Sequence, residues 1–125
     1  MILIYFAASL EAAVGLLLII SPSFVASALY GADLSEPGQA LGRFAGTVFV
    51  AFAVACWPEV GTGKRSPAAL RGLLTYNLLA TLYFLSIGLD GTQVGTALWP
   101  VFALHAILTM LILRAWLTTG AKQNG

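Results

Sequence analysis

Residues 2–20 read ILIYFAASLEAAVGLLLII, an apolar run with a single charged residue, Glu11, near its middle. Because an α-helix rises about 1.5 Å per residue, this run is about long enough to cross the roughly 30 Å of hydrocarbon in a bilayer. Ser21-Pro22 ends the run, since the residue before a proline is disfavoured in the helical conformation. The stretch therefore predicts a membrane-spanning helix that carries a carboxyl group at mid-depth.

Three further apolar stretches predict three more spanning helices, at about 37–57, 67–88 and 97–117. The first of these follows Ser35-Glu36, part of a capping pattern, and the second follows Ser66-Pro67, an N-cap serine with proline at the first helical position. Short loops separate these stretches, so consecutive helices are expected to be antiparallel neighbours. The sequence thus predicts a single all-α domain over residues 1–125, an integral membrane four-helix bundle.

The first connection, from Pro22 to Leu41, is the long one. Within it, apolar residues recur at helical spacing, namely Phe24, Val25, Ala28 and Leu29. Tyr30-Gly31 provides a natural end, because glycine is common just beyond a helix. The pattern predicts a short helix that lies in the membrane interface.

Composition supports the membrane assignment and excludes several functions. The chain is 59% hydrophobic and 9% charged, whereas a soluble domain carries about 25% charged residues. Its net charge of +1 argues against a nucleic-acid partner, which requires a basic face. With one cysteine, Cys56, and one histidine, the chain has no intrachain disulfide and no tetrahedral zinc site, and a bis-histidine haem would need a dimer. No metal or cofactor is expected.

The distribution of charge predicts an orientation. Most basic residues flank one side of the predicted membrane: Lys64, Arg65, Arg71, Arg114 and Lys122. The other side carries one basic residue and three acids: Arg43, Asp33, Glu36 and Asp90. By the positive-inside rule both termini are cytoplasmic, and the tryptophans then fall at the two interfaces, Trp57 and Trp116 inside and Trp99 outside.

Each predicted spanning helix carries one polar group at membrane depth. Glu11, Asn77 and His105 lie near the middle of their helices, and Arg43 lies about five residues outward from the centre of its own. A charged group at this depth costs at least about 2.5–3.5 kcal/mol, so such residues are functional candidates by default. We therefore expect the four groups to converge in one polar layer of the bundle.

The residue types suggest acid–base chemistry on a lipophilic ligand. Glu11 and His105 are the candidate catalytic pair, because a carboxyl group and an imidazole in a dry site can exchange a proton with a substrate. Arg43 is expected to hold Glu11 ionised or to bind an anionic group. Asn77 is expected to bind a carbonyl or hydroxyl group, with Tyr76 and Tyr83 lining the site. The predicted ligand is a quinone, isoprenoid or sterol-like compound, and the sequence leaves open whether it is bound or chemically processed.

A purely structural interpretation stays open beside this one. Glu11 and Arg43 would then form a buried ion pair, and Asn77 would hydrogen-bond to His105 to fix the helix register. Gly42 and Gly46, a G-x-x-x-G beside Arg43, predict a close helix contact in either case. Under this interpretation the protein is a structural subunit or assembly factor of a membrane complex.

Several short motifs carry a resemblance to a known group of proteins. They are LGRFAG at residues 41–46 after the Leu29-Tyr30-Gly31 loop, Tyr76-Asn77-Leu78-Leu79, and Trp99-Pro100 followed by His105. In these motifs the whole chain resembles small four-helix bacterial membrane proteins of DoxX-like type. The resemblance implies a four-helix fold and a multi-pass location in the bacterial inner membrane, and it transfers no catalytic residue.

The position of Glu11 invites a second comparison. A glutamate in the first of four short membrane helices is similar to the small multidrug exporters, where that residue binds cations and protons in a homodimer. This chain lacks the glycine and tryptophan signature expected in the third helix. An Arg43 paired with Glu11 would compete with a cationic drug, and the charge bias opposes dual insertion. A proton-coupled exporter and a homodimer nevertheless remain alternatives.

Overall fold

The structure is a computed structural model and describes residues 2–58 and 66–121. Within this part of the chain it contains no strand and five α-helices: α1 (Ile2–Ile20), α2 (Pro22–Tyr30), α3 (Glu36–Ala55), α4 (Pro67–Asp90) and α5 (Leu98–Ala121). The four long helices have the length and apolar composition needed to cross a membrane. The predictions of an all-α fold with four long apolar helices and a short one in the first connection are confirmed. Lys64, Arg65 and Lys122, on which the predicted orientation relies, lie outside the described residues.

Local sequence signals define most helix ends. The side chains of Ser35 and Ser66 accept hydrogen bonds, each 3.4 Å long, from backbone N–H groups in the first turns of α3 and α4. Helix α4 extends to Asp90 and stops at Gly91, whose φ of 72° is left-handed and suits glycine. Helix α5 begins at Leu98 and its backbone continues to Ala121, four residues beyond the range expected from the sequence.

The short helix α2 is held to the start of α5 by backbone hydrogen bonds. Gly31 ends α2 with a φ of 66°, and its N–H donates to the Ser27 carbonyl oxygen at 2.9 Å. The N–H of Gly95 donates to the carbonyl oxygen of Leu29 at 2.9 Å, and the N–H of Ala97 donates to the carbonyl oxygen of Ala28 at 2.8 Å. A side chain at residue 95 would overlap the Ala28 carbonyl group, so this junction requires glycine.

Helices α1 and α3 form a closely packed antiparallel pair. A Cβ atom added to Gly46 would lie 2.5 Å from the carbonyl oxygen of Gly15, and one added to Gly42 would lie 2.7 Å from Pro22. At the far end, the Tyr5 ring meets the Trp57 ring edge-on with centroids 5.5 Å apart. The close contact predicted from the G-x-x-x-G motif is therefore present, and it joins α3 to α1.

Helices α4 and α5 form the second antiparallel pair. A Cβ atom on Gly88 would lie 2.8 Å from the Trp99 ring, so α4 presents no side chain where that indole packs. Further along, the Phe84 ring lies 5.5 Å from the His105 ring. Leu73 and Ile112 are fully buried toward the opposite end of this pair.

The two helix pairs meet through side chains. Helices α3 and α4, predicted to be neighbours, touch where Gly72 faces Phe52 and Cys56. Apolar residues from α1, α4 and α5 and the C-cap of α3 form the buried core, with Phe52 of α3 packed against it; the core includes Ile4, Ala7, Cys56, Leu70, Leu73, Leu108 and Ile112. Because side chains form the interface between the two helix pairs, polar groups from different helices can meet there.

Candidate functional site

Glu11 is buried on the face of α1 that looks toward the second helix pair. Its side chain is 1% exposed, and the small residues Ala7, Ala8 and Gly15 around it are buried as well. The carboxyl group interacts with the Tyr76 hydroxyl group of α4. Its other contact is missing, since Oε1 is buried and has no hydrogen-bond partner among the described residues. The structure thus places an incompletely bonded carboxyl group between the helix pairs.

Tyr76 connects Glu11 to His105. Its ring packs against Phe49 and Phe52 of α3, with centroids 5.5 Å from each. Its hydroxyl oxygen lies 3.4 Å from His105 Nε2 and also interacts with Glu11. Tyr76 therefore joins side chains from α1 and α5, which is a more central position than the lining role expected from the sequence.

His105 is buried in α5, with 6% of its surface exposed. Its Nδ1 lies 2.8 Å from the carbonyl oxygen of Val101. Since a carbonyl oxygen only accepts hydrogen bonds, Nδ1 carries a hydrogen, and in the neutral ring Nε2 is an acceptor that faces Tyr76. The Phe84 and Tyr76 rings flank the imidazole at 5.5 and 5.7 Å.

Asn77 contributes a second incompletely bonded group. The residue is 0% exposed, and its Nδ2 donates to the Leu73 carbonyl oxygen at 2.8 Å. That bond fixes the amide orientation, because the reverse orientation would place two acceptor oxygens together. Oδ1 is then buried without a partner among the described residues. The hydrogen bond between Asn77 and His105, considered in the structural interpretation, is not formed.

The threonine hydroxyl groups near these residues already donate hydrogen bonds within their own helices. Thr81 donates to the carbonyl oxygen of Asn77 at 2.7 Å, and Thr109 donates to that of His105 at 2.8 Å. Both are bonds to the preceding turn of the same helix. Neither threonine therefore supplies a donor to Glu11 Oε1 or Asn77 Oδ1.

Arg43 and Tyr83 lie apart from this layer. Arg43 is exposed on the outer surface of α3, and within the described residues it forms no ion pair with Glu11. The expected buried pair was wrong because Gly42 and Gly46 face α1 and Arg43 lies on the adjacent outward strip. Tyr83 is 54% exposed and has the Tyr30 hydroxyl group and the Phe84 ring as neighbours. The structure thus joins Glu11, Tyr76 and His105, buries Asn77, and leaves Arg43 and Tyr83 outside.

Aromatic residues around the layer were not identified from the sequence. Phe49 and Phe52 support Tyr76, and Phe84 supports His105. The spacing of Phe49, Phe52 and Cys56, at i, i+3 and i+7, marks one face of α3 and could have revealed that this face turns inward.

Other parts of the described structure offer little chemistry. No group of three or more His, Cys, Asp or Glu residues in the described ranges could hold a metal ion. An open groove at the end of α4 is lined by Ser86, Ile87, Asp90, Thr92 and Gln93. Asp90 is about 20 Å along the helix from Asn77 at about 1.5 Å per residue, so this groove is separate from the polar layer.

Comparison of the chain with protein-family models, with curated proteins and with solved structures finds no match in any of the three. The DoxX-like resemblance therefore stays an expectation based on short motifs. A fold alone does not specify a function, which depends on the chemistry of the site.

Proposed function

We propose that this protein crosses the bacterial inner membrane four times, with both termini cytoplasmic, and binds a lipophilic small molecule in the polar layer between its two helix pairs. The four long apolar helices support the membrane location. The exposed Arg71 near the start of α4 and Arg114 toward the end of α5 lie at the same end of this antiparallel pair, which supports the orientation. The ligand class is a quinone-, isoprenoid- or sterol-like compound with a polar head group.

One observation carries the proposal: two acceptor oxygens, Glu11 Oε1 and Asn77 Oδ1, are buried and have no hydrogen-bond partner among the described residues. Leaving a buried polar group unsatisfied costs about 1–3 kcal/mol, so each one needs an explanation. A buried ion pair with Arg43 does not supply it, because Arg43 is exposed. A ligand that enters between the helix pairs would satisfy these oxygens.

The surrounding residues fit the two parts of such a ligand. The rings of Phe49, Phe52 and Phe84 provide apolar surface for a hydrocarbon skeleton. Glu11 and Asn77 orient the polar head. The row formed by Glu11, Tyr76 and His105 also links a carboxyl group to an imidazole through a hydroxyl group, as acid–base isomerisation or cyclisation would require.

The test is to purify the protein from its native membrane in mild detergent and to identify copurifying lipophilic molecules by mass spectrometry. We expect one compound in roughly stoichiometric amount with the wild type and a marked loss with Glu11→Gln and His105→Ala. Glu36→Gln is the matched control, since Glu36 is exposed in the first turn of α3. If both site variants retain the compound as the wild type does, the proposal is wrong.

A second candidate function is the proton-coupled export of lipophilic cations. It gains support from the exposed position of Arg43, because no cation then occupies Glu11 and the carboxyl group lies near aromatic rings. The purified protein would release protons when tetraphenylphosphonium is added, and Glu11→Gln would abolish the release. Absence of any proton release from the wild type would eliminate this candidate.

A further inference from the structure

Nearly all donor hydrogens of the polar layer already form hydrogen bonds within the protein. His105 Nδ1 donates to Val101, Asn77 Nδ2 donates one hydrogen to Leu73, and the hydroxyl groups of Thr81 and Thr109 donate within their own helices. The Tyr76 hydroxyl group has a single hydrogen and two acceptors beside it, Glu11 and His105 Nε2. Within the described residues of the layer, the second amide hydrogen of Asn77 has no assigned acceptor, and the buried Cys56 thiol near Glu11 is a weak donor only.

Acceptors are in excess whichever way the hydrogens are arranged. If Glu11 is a carboxylate, it adds no donor, and Tyr76 can serve either Glu11 or His105. If Glu11 is a carboxylic acid, its hydrogen bonds to the Tyr76 oxygen and the Tyr76 hydrogen bonds to His105, which completes the row. Moving the acid hydrogen to Oε1 would break that row. In each favoured arrangement Glu11 Oε1 and Asn77 Oδ1 still need a donor from elsewhere.

We propose that this site selects its ligand as a hydrogen-bond donor: a neutral lipophilic molecule with a hydroxyl group, such as an alcohol or hydroquinone, in preference to the ketone, aldehyde or quinone of the same skeleton. This inference rests on the proposed function and specifies its ligand. A hydroxyl group can donate to Glu11 Oε1, whereas a carbonyl group placed there would bring two acceptors together. A neutral ligand also adds no buried charge to the layer.

The experiment measures equilibrium binding of matched pairs to the full-length protein in lipid nanodiscs. The radiolabelled probes are farnesol with farnesal, a 3-hydroxysterol with its 3-ketone, and decyl hydroquinone with decyl quinone kept under argon. Within a pair the hydrocarbon skeleton is constant, so the affinity ratio reports the head group. For the skeleton that binds, we expect the hydroxyl form to bind about tenfold tighter, because the carbonyl form leaves a buried carboxyl oxygen without a donor.

Glu11→Gln provides the decisive variant. It is nearly isosteric and replaces one carboxyl oxygen with an amide N–H₂ group, which supplies donors that a ketone can use. We expect the ratio of affinities to fall below about threefold in this variant. Asn77→Leu should weaken binding of the hydroxyl form as well, and Glu36→Gln should leave the ratio unchanged. Thermal unfolding of each variant establishes that it is folded.

The outcomes separate the two proposals. A tenfold preference that collapses in Glu11→Gln supports both. Binding of a pair with a wild-type ratio under about threefold overturns donor selection and leaves ligand binding intact. A tenfold preference that persists in Glu11→Gln overturns the role of Glu11. If no member of any pair binds the wild-type protein, the proposed function itself is overturned.

Discussion

Gly15 and Glu11 lie one turn apart on the buried face of α1, and they meet their neighbours in opposite ways. Gly15 faces Gly46, so closely that neither residue could carry a side chain. Glu11 faces the second helix pair, and its Oε1 has no partner there. One turn of the helix is thus filled completely and the next leaves a polar atom unsatisfied. The Gly15 contact therefore stabilises the bundle. Glu11 lowers its stability, which indicates that the carboxyl group serves a function.

The largest effect is expected where the helices touch. Gly46→Val would place atoms about 2.5 Å from the Gly15 carbonyl oxygen and 2.8 Å from the Ile19 side chain. Because a backbone atom cannot rotate away, we expect a loss of about 3 kcal/mol in the free energy of unfolding, at the upper end for overpacking. Thermal unfolding in detergent measures it. Gly38→Ala, where the added Cβ meets ordinary 3.4 Å contacts, is the control, and equal losses at both positions would contradict the close crossing.

The second effect concerns the row in the polar layer. Tyr76→Phe keeps the ring packing on Phe49 and Phe52 but removes the hydroxyl group between Glu11 and His105. We expect a loss of about 2 kcal/mol, since two buried groups lose a partner. Tyr83→Phe is the comparison variant on the same helix: its half-exposed residue interacts through the hydroxyl group with Tyr30 and not with Glu11 or His105, so we expect a smaller loss. A Tyr76→Phe protein as stable as the control would show that the row contributes nothing.

The third effect has the opposite sign. Asn77→Leu removes the unpartnered Oδ1 and replaces it with apolar volume, so we expect the ligand-free protein to gain about 1 kcal/mol. The variant should at the same time bind the proposed ligand less well. Chemical denaturation of ligand-free protein measures the first effect, with Thr81→Val as the control. A clear loss of stability would mean that Asn77 serves the bundle and belongs with Gly15 in the comparison.

The smallest effect is expected at Arg43. Since Arg43 is exposed and unpaired with Glu11 in the described structure, Arg43→Ala should change stability by less than about 0.5 kcal/mol. A double-mutant cycle with Glu11→Gln should be additive within about 0.5 kcal/mol. Coupling larger than this would restore the ion pair and supply the partner that Glu11 lacks.

The fold was largely predictable because its signals are local. Apolar length, the serine N-caps and Gly31 and Gly91 determine the helices without reference to distant residues. The burial of Glu11, Asn77 and His105 followed from the cost of exposing them to lipid. The partners of these groups were not predictable, because they depend on how each helix is rotated. That rotation placed Arg43 outside and brought Tyr76 between Glu11 and His105.

The hydrogen bonds from Gly95 and Ala97 to the end of α2 also have a consequence for biogenesis. They join segments more than sixty residues apart in the chain. At a synthesis rate of about 5–20 residues per second, the carbonyl groups of Ala28 and Leu29 wait about 3–13 s after their own synthesis for these donors. Helices α1 to α4 have all been synthesised by then. The junction therefore closes late in assembly, and until then α2 depends on its packing against the earlier helices, where Pro22 lies against Gly42 of α3.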